Sequence, residues 1–219
     1  GDVSAGWADR FTDCYRSLSE EFGVPLLGGD TTSSQDRIAI NVTAIGRIAR
    51  AKVKYRSGAR ENDIVYVTGY LGDSAQGLLD IRSGVYDSPF VAVHHDPHPC
   101  VNEGIWLGNQ PEVHAMMDIS DGIASDLPHI LEESETGAEI SIERIPTRTT
   151  VELAVTGGED YQLLLTVGAE AADRIAAEYV RHFGKPLYGI GRIRSGAPDI
   201  IWSDNGEVVR PQWKGFRHF

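Results

Sequence analysis

Apolar positions recur at three- and four-residue spacing from Trp7 through Phe11, Cys14, Tyr15 and Leu18 to Phe22, with Arg10, Asp13, Arg16, Glu20 and Glu21 between them. This spacing predicts an amphipathic helix closed by Gly23. Val24-Pro25-Leu26-Leu27 then predicts a short strand, and the β-rich run from Ile38 to Gly46 a longer one that contributes core. Ile64 to Thr68 reads as a buried strand, Gly69-Tyr70-Leu71-Gly72 as a turn, and Ser74 to Ile81 as a helix, which together make an α/β unit. The apolar run Met116-Met117-Asp118 breaks at Gly122 into the helical pattern Ile123-Ala124-Ser125-Asp126-Leu127. Beyond it, Ala138 to Glu143 alternates as a half-buried strand, and Ile145 to Val155 is poor in pattern. An apolar strand from Gln162 to Val167, a helix from Ala169 to Phe183, a strand from Leu187 to Ile193 and a polar hairpin around Asp204-Asn205-Gly206 follow. The fold class is α/β (α+β).

Composition narrows the function classes. With 219 residues and 41% hydrophobic content, the chain can build one large or two small domains. Lys plus Arg number 20 and Asp plus Glu 32, a net charge of −12, which argues against a nucleic-acid or anionic-membrane partner. A nucleotide remains compatible, because cations bring phosphate to acidic sites. The two cysteines, Cys14 and Cys100, form no CxxC and offer neither a zinc site nor a disulfide framework, so a reducing, cytoplasmic compartment is expected. No apolar run reaches membrane-span length.

Three stretches carry candidate chemistry. In Asp118-Ile119-Ser120-Asp121-Gly122, two carboxylates stand at i and i+3. Crowded acids repel and raise one another's pKa, and a hard divalent cation such as Mg²⁺ relieves this. The same residues also fit a helix start with Ser120 or Asp121 as N-cap, and the stretch alone leaves both readings open. Gly28-Gly29-Asp30-Thr31-Thr32 combines backbone that can approach a ligand closely with a carboxylate, and is equally a plain turn. Gly157-Gly158-Glu159-Asp160-Tyr161 repeats that logic beside a core strand. Between Arg47 and Arg60 lies a local basic excess, a connector between domains or, at Arg56-Ser57-Gly58-Ala59, a guanidinium for phosphates. The histidines of Val93-His94-His95-Asp96-Pro97-His98-Pro99 have no partners for a tetrahedral site, and the prolines predict a surface loop.

Taken in order, Gly28 to Thr32, Arg56 to Ala59, Val67-Thr68-Gly69, Asp118 to Gly122, Gly157 to Tyr161 and the terminal Gly215-Phe216-Arg217-His218-Phe219 resemble the thiamine-monophosphate kinase family. That family belongs to the superfamily of aminoimidazole ribonucleotide synthetase. The resemblance covers nearly the whole chain, and six motifs in order are far more specific than any one. It implies ATP-dependent phosphorylation of thiamine monophosphate to thiamine diphosphate with Mg²⁺, in a homodimer. It also implies an N-terminal sheet-and-helix domain, pairing across the dimer, and a C-terminal α/β domain with a mixed sheet. The division expected is residues 1–50, the remainder of an ATP-binding and dimerisation domain, and 51–219. By motif, Asp30, Asp118 and Asp121 are implied Mg²⁺ ligands, and Gly29, Asp30, Arg56 and Ser120 implied ATP contacts. Glu159, Asp160 and Phe216 are implied to lie at the thiamine moiety.

The chain departs from the family pattern in four places. An acid-bearing segment that the family carries ahead of Gly1 is absent, and the stretch between Pro146 and Gly157 is shorter than expected, as though a helix-containing loop were missing. Cys100 stands where a basic residue is commoner, and Asn62-Asp63 replaces Gly-Asp. The competing readings are another ATP-using member of the superfamily, of the aminoimidazole ribonucleotide synthetase or selenophosphate synthetase type, and a nucleotide-binding dimer domain without catalysis.

Overall fold

The computed structural model describes residues 3–35 and 37–213. Two units divide at residue 48. In the first, Ser4 accepts the Trp7 amide and starts helix α1 (Ala5–Glu21), and Trp7 stacks on Phe11 with ring centroids 5.3 Å apart. The expected strands at Val24–Leu27 and Ile38–Gly46 do not form. A strand exists only where a second one completes its hydrogen-bond ladder, and no described segment of the chain pairs with either stretch. Their apolar side chains stand in solvent, Leu27 84% and Ile45 82% exposed.

The second unit is built on one seven-stranded sheet. Its strands are β1 (Ile64–Val67), β2 (Val113–Asp118), β3 (Gly137–Ser141), β4 (Leu163–Val167), β5 (Tyr188–Arg194), β6 (Ile200–Asp204) and β7 (Glu207–Val209). The order is β2-β4-β1-β5-β3-β6-β7; only β3 and β6 run parallel. Helices α2 (Asp73–Arg82), α3 (Pro89–His95), α4 (Val101–Gly108), α5 (Ile123–Ser134), α6 (Val151–Thr156) and α7 (Ala169–Phe183) lie between the strands in sequence. The apolar runs of β1 and β4 are continuous because both faces of the sheet are covered. Val65, Val67 and Leu164 join Ile123, Leu127 and Ile130 of α5 and Val155 of α6. Tyr66, Leu165 and Val167 pack with Ile175 and Tyr179 of α7 and Leu107 of α4.

Local chemistry explains the remaining differences from expectation. Val93 to His95 are helical, not loop: Ser88 accepts the Val91 amide, Pro89 takes the first helical position, and α3 ends ahead of Pro97. The pattern-poor stretch contains α6, capped by Thr150 accepting the Leu153 amide. Asn62 adopts φ 72°, left-handed backbone that glycine takes most cheaply and asparagine next, and its neighbour Asp63 accepts the Arg60 amide and bonds His114 Nδ1 at 2.9 Å. The predicted hairpin turns at Asn205-Gly206, both at positive φ, with Asp204 opposite Glu207.

Candidate functional site

Three chain segments meet at one end of the sheet: the turn after β1, the turn after β2 and the approach to β4. The last two are paired residue by residue. Ile119 donates its amide to Gln162 O at 2.7 Å, Tyr161 to Ile119 O at 2.9 Å, and Glu159 to Ser120 O at 2.8 Å. Contact is so close that a Cβ on Gly158 would stand 2.4 Å from Ser120 O. Gly122 bends the chain from β2 into α5 at φ 91°, ψ 156°, where a Cβ would meet the carbonyls of Val155 and Gly157 at 2.7 Å. Only glycine serves at either position.

A cleft of about 380 Å³ opens over this junction, lined by Ser74, Ala75 and Leu78 of α2, His94 of α3, Ser120, Asp121, Gly158, Glu159 and Tyr161. Ser120, Asp121 and Glu159 are thus brought together. Asp118 ends β2 with an exposed side chain. Its charge still reaches the cleft: burial first, then Glu159, Asp118 and Asp121 in turn, push the Tyr161 phenol above its usual range. Negative potential from three carboxylates therefore converges on one ring.

Asp126 was legible in the sequence only as part of a helical pattern, yet it holds the Asp118–Asp121 turn. Its Oδ2 accepts the amides of Ser120 at 3.0 Å and Asp121 at 2.9 Å. Asp126 is only 2% exposed, and desolvation raises its carboxyl above the ordinary range; the two amides counter this, and the charges of Asp121 and Asp118 add to it. The N-cap of α5 is Gly122, not Ser120 or Asp121; Asp126 ties the amides of those two residues, and both line the cleft.

Asp160, expected at the substrate, is not among the lining residues. Its carboxylate is buried and accepts Gly72 N–H at 2.7 Å through Oδ2 and Ser74 N–H at 3.2 Å through Oδ1, closing the open amides at the head of α2. Burial pushes it up to about 6 against those bonds. Its neighbours Glu159 and Tyr161 have φ 65° and 49°, backbone that costs on the order of 1–3 kcal/mol per side-chain-bearing residue. Asp73, next to Ser74, is also buried, gripped at Oδ2 by Nε of Arg148 at 3.0 Å, with Oδ1 lacking a hydrogen-bond partner. Arg148 lies 5.0 Å over the Tyr70 ring.

The other expected residues stand elsewhere. Arg56 lines a separate hollow with Lys54, Ser57, Met116, Met117 and Glu133, and its carbonyl accepts Ser134 Oγ–H at 2.7 Å. Gly29 and Asp30 belong to the first unit, where Asp30 Oδ1 accepts the Thr31 amide at 2.9 Å. Phe216 lies outside the described residues. Cys100 is buried, 3.7 Å from Thr68 Oγ1 and 3.6 Å from Gln162 Oε1, and burial pushes its thiol up.

Among the described residues, no three His, Cys, Asp or Glu side chains converge as a metal cluster. The donor set still suits a hard cation: Asp118 and Asp121 offer carboxylate oxygens in a field of excess negative charge. Mg²⁺ is the fitting ion, since it takes one or two carboxylates and completes its octahedron with water and phosphate oxygens. No helix among the described residues is long and apolar enough to cross a membrane.

Comparison with known proteins identifies families and structures that this chain is similar to. The AIR synthase related protein C-terminal domain family matches residues 60–202, and the corresponding N-terminal domain family matches residues 1–48. Thiamine-monophosphate kinase of Escherichia coli K12 is 32% identical over 235 residues, covering all of this chain and 70% of that protein. The crystal structure of thiamine-monophosphate kinase from Stenotrophomonas maltophilia K279a superimposes with a TM-score of 0.76 at 26% identity, over 95% of this chain and 70% of that one. AaThiL complexed with AMPPCP and TMP does so at 0.75 and 25% identity, over 100% and 70%.

Proposed function

Because the chain belongs to the thiamine-monophosphate kinase family, we propose that it transfers the γ-phosphoryl group of ATP to thiamine monophosphate, yielding thiamine diphosphate, in the cytoplasm. The observation that carries this reading is the cleft where Ser120, Asp121 and Glu159, from two hydrogen-bonded turns, face one volume. Support also comes from the similar structure of AaThiL, which is complexed with AMPPCP and TMP.

Phosphoryl transfer between two phosphates needs positioning and charge neutralisation more than covalent chemistry, so no general base is required of the protein. Asp118 and Asp121 would hold Mg²⁺ in this reading, and Asp30 is assigned as a Mg²⁺ ligand on its Gly-Gly-Asp motif alone. Bound there, the metal supplies neutralisation of the phosphate oxygens. Ser120, its amide tied to Asp126, presents its hydroxyl to the nucleotide. Gly29 and Asp30 offer backbone to ATP, and Arg56 a guanidinium to its phosphates. Glu159, and Phe216 near the end of the chain, bind the thiamine moiety, whereas Asp160 shapes the cleft through α2. In this reading the acceptor phosphate attacks the γ-phosphorus in line with the leaving ADP oxygen.

The functional unit in this reading is a homodimer, with residues 1–48 completing a nucleotide-binding and dimerising domain. Exposed Ile38, Ile40 and Val42, alternating along an unpaired segment, support strand pairing across it. Incubating the protein with ATP, Mg²⁺ and thiamine monophosphate and separating products by chromatography tests the reading. Thiamine diphosphate is expected. Turnover only with another acceptor of the superfamily would overturn it, and a Phe216→Ala variant that weakens ATP as much as thiamine monophosphate would remove the thiamine contact.

A further inference from the structure

His94 sits in the cleft wall and has no role in the reading above. Its Nδ1 lies 2.9 Å from Ser74 Oγ and 3.8 Å from Glu159 Oε2. Ser74 is a rigid partner: it is 1% exposed, and its amide is bonded to Asp160 Oδ1. The α3 turn bearing His94 is rigid too, because Gly77 of α2 passes so close that a Cβ there would meet Phe90 O at 2.2 Å. Glu159 is the opposite case. Its side chain is 59% exposed on backbone at φ 65°, so its rotamers are free unless a neighbour restrains them.

A carboxylate that must meet a flat, partly cationic ring in one orientation binds it better when its own direction is set beforehand. We propose that His94, itself oriented by Ser74, is a positioning residue for the acceptor substrate, directing the Glu159 carboxylate across the cleft. With its proton on Nδ1, the imidazole shares that one N–H between Ser74 Oγ, 2.9 Å away, and the Glu159 carboxylate, whose Oε2 lies at 3.8 Å. A small rotation of Glu159 brings that contact to hydrogen-bond length. The proposal rests on the kinase reading, since the acceptor is thiamine monophosphate.

Steady-state kinetics of His94→Ala, His94→Asn, Glu159→Gln and the His94→Ala/Glu159→Gln pair test it. His94→Ala is expected to raise KM for thiamine monophosphate about fivefold, the scale of one hydrogen bond, with KM for ATP unmoved. Asn, which keeps an N–H donor near the place of Nδ1, is expected to recover most of the loss. The double variant should bind thiamine monophosphate no more weakly than Glu159→Gln alone. Equal increases in both KM values, or additive losses in the double variant, would overturn the proposal. A substrate-independent measurement separates it from the kinase reading: crystal structures of the parent and of His94→Ala without ligands. Displacement or loss of order at the Glu159 carboxylate supports positioning by His94, even if the parent fails to convert thiamine monophosphate. An unmoved carboxylate overturns it, even if the parent is an active kinase.

Discussion

Replacing Asp160 by Asn isolates the contribution of one buried charge to the shape of the cleft. In the folded protein the carboxyl titrates near 6, against 3.8 for the free group, because desolvation outweighs the bonds from Gly72 and Ser74. The folded state therefore binds this proton more tightly than the unfolded chain does. An acid raised in this way destabilises the protein when ionised, and the protein recovers that stability as pH falls through 6 towards 4. Two pH units correspond to about 3 kcal/mol, of which about 2 kcal/mol is regained by pH 4. Asn removes the charge, a gain of similar size at pH 7, but it faces two amide donors with one acceptor. One N–H is left unpaired in a buried place, at a cost of about 1–3 kcal/mol. The two effects nearly cancel at pH 7, so stability there is uninformative. The pH dependence of the difference is informative. Denaturant unfolding without Mg²⁺ should show the variant close to the parent at pH 7 and less stable by about 2 kcal/mol at pH 4. Asp126, also raised by burial, is present in both proteins and drops out of the difference. A difference that stays constant from pH 7 to 4 would refute the assignment of a raised, α2-capping carboxyl.

Asp118→Asn and Asp121→Asn should each cut turnover severely and raise the Mg²⁺ concentration needed for half-maximal rate; Mg²⁺ titrations matching the parent's would remove both as ligands. Gly158→Ala forces a Cβ against Ser120 O and should separate the two paired turns, with activity falling on the order of tenfold or more and stability by about 1–3 kcal/mol. Unchanged kinetics would show that the pairing does not shape the cleft. Arg148→Ala leaves the buried Asp73 without its cation, and because the guanidinium is half exposed the expected loss is about 1–2 kcal/mol rather than the full cost of a broken interior pair, read by denaturant unfolding.

Periodicity located the elements whose pattern has a single physical cause. Helix α7 was expected from Ala169 to Phe183 and spans those residues, because its apolar stripe packs on the sheet and Gly184 stops it at φ 68°. The strand expected at Ile38–Gly46 failed for a reason that sequence does not carry: alternation records a face able to be buried, not the ladder that makes a strand. Helix α3 was hidden by its own composition, since three histidines and two prolines drew attention to a loop, although Ser88-Pro89 already marked a helix start. At the site, each glycine-acid stretch alone fitted a turn or cap as well as a ligand loop, and the cleft joins two of them, at Ser120-Asp121 and Gly158-Glu159. Their mutual pairing, from Ile119 to Gln162, was not legible, since contacts that distant in sequence leave no local pattern. Asp160 shows the same limit: type and spacing marked it as special, and only the fold distinguishes binding a ligand from capping a helix.

The cleft keeps side chains in costly backbone because each costly residue is held from two directions. Glu159 and Tyr161 adopt left-handed φ while their amides are fixed to Ser120 O and Ile119 O, and the residue between them anchors α2. The facing turn is fixed in return by Asp126, which binds the amides of Ser120 and Asp121. Relaxing any one of these residues to extended backbone would break a hydrogen bond on the other turn. The arrangement therefore resists thermal averaging of the backbone at Ser120, Asp121 and Glu159, the residues to which the proposed reading gives the nucleotide, metal and thiamine contacts. Strain of this kind survives where neighbouring contacts over-determine the chain, and the hydrogen bonds joining the two turns provide that excess.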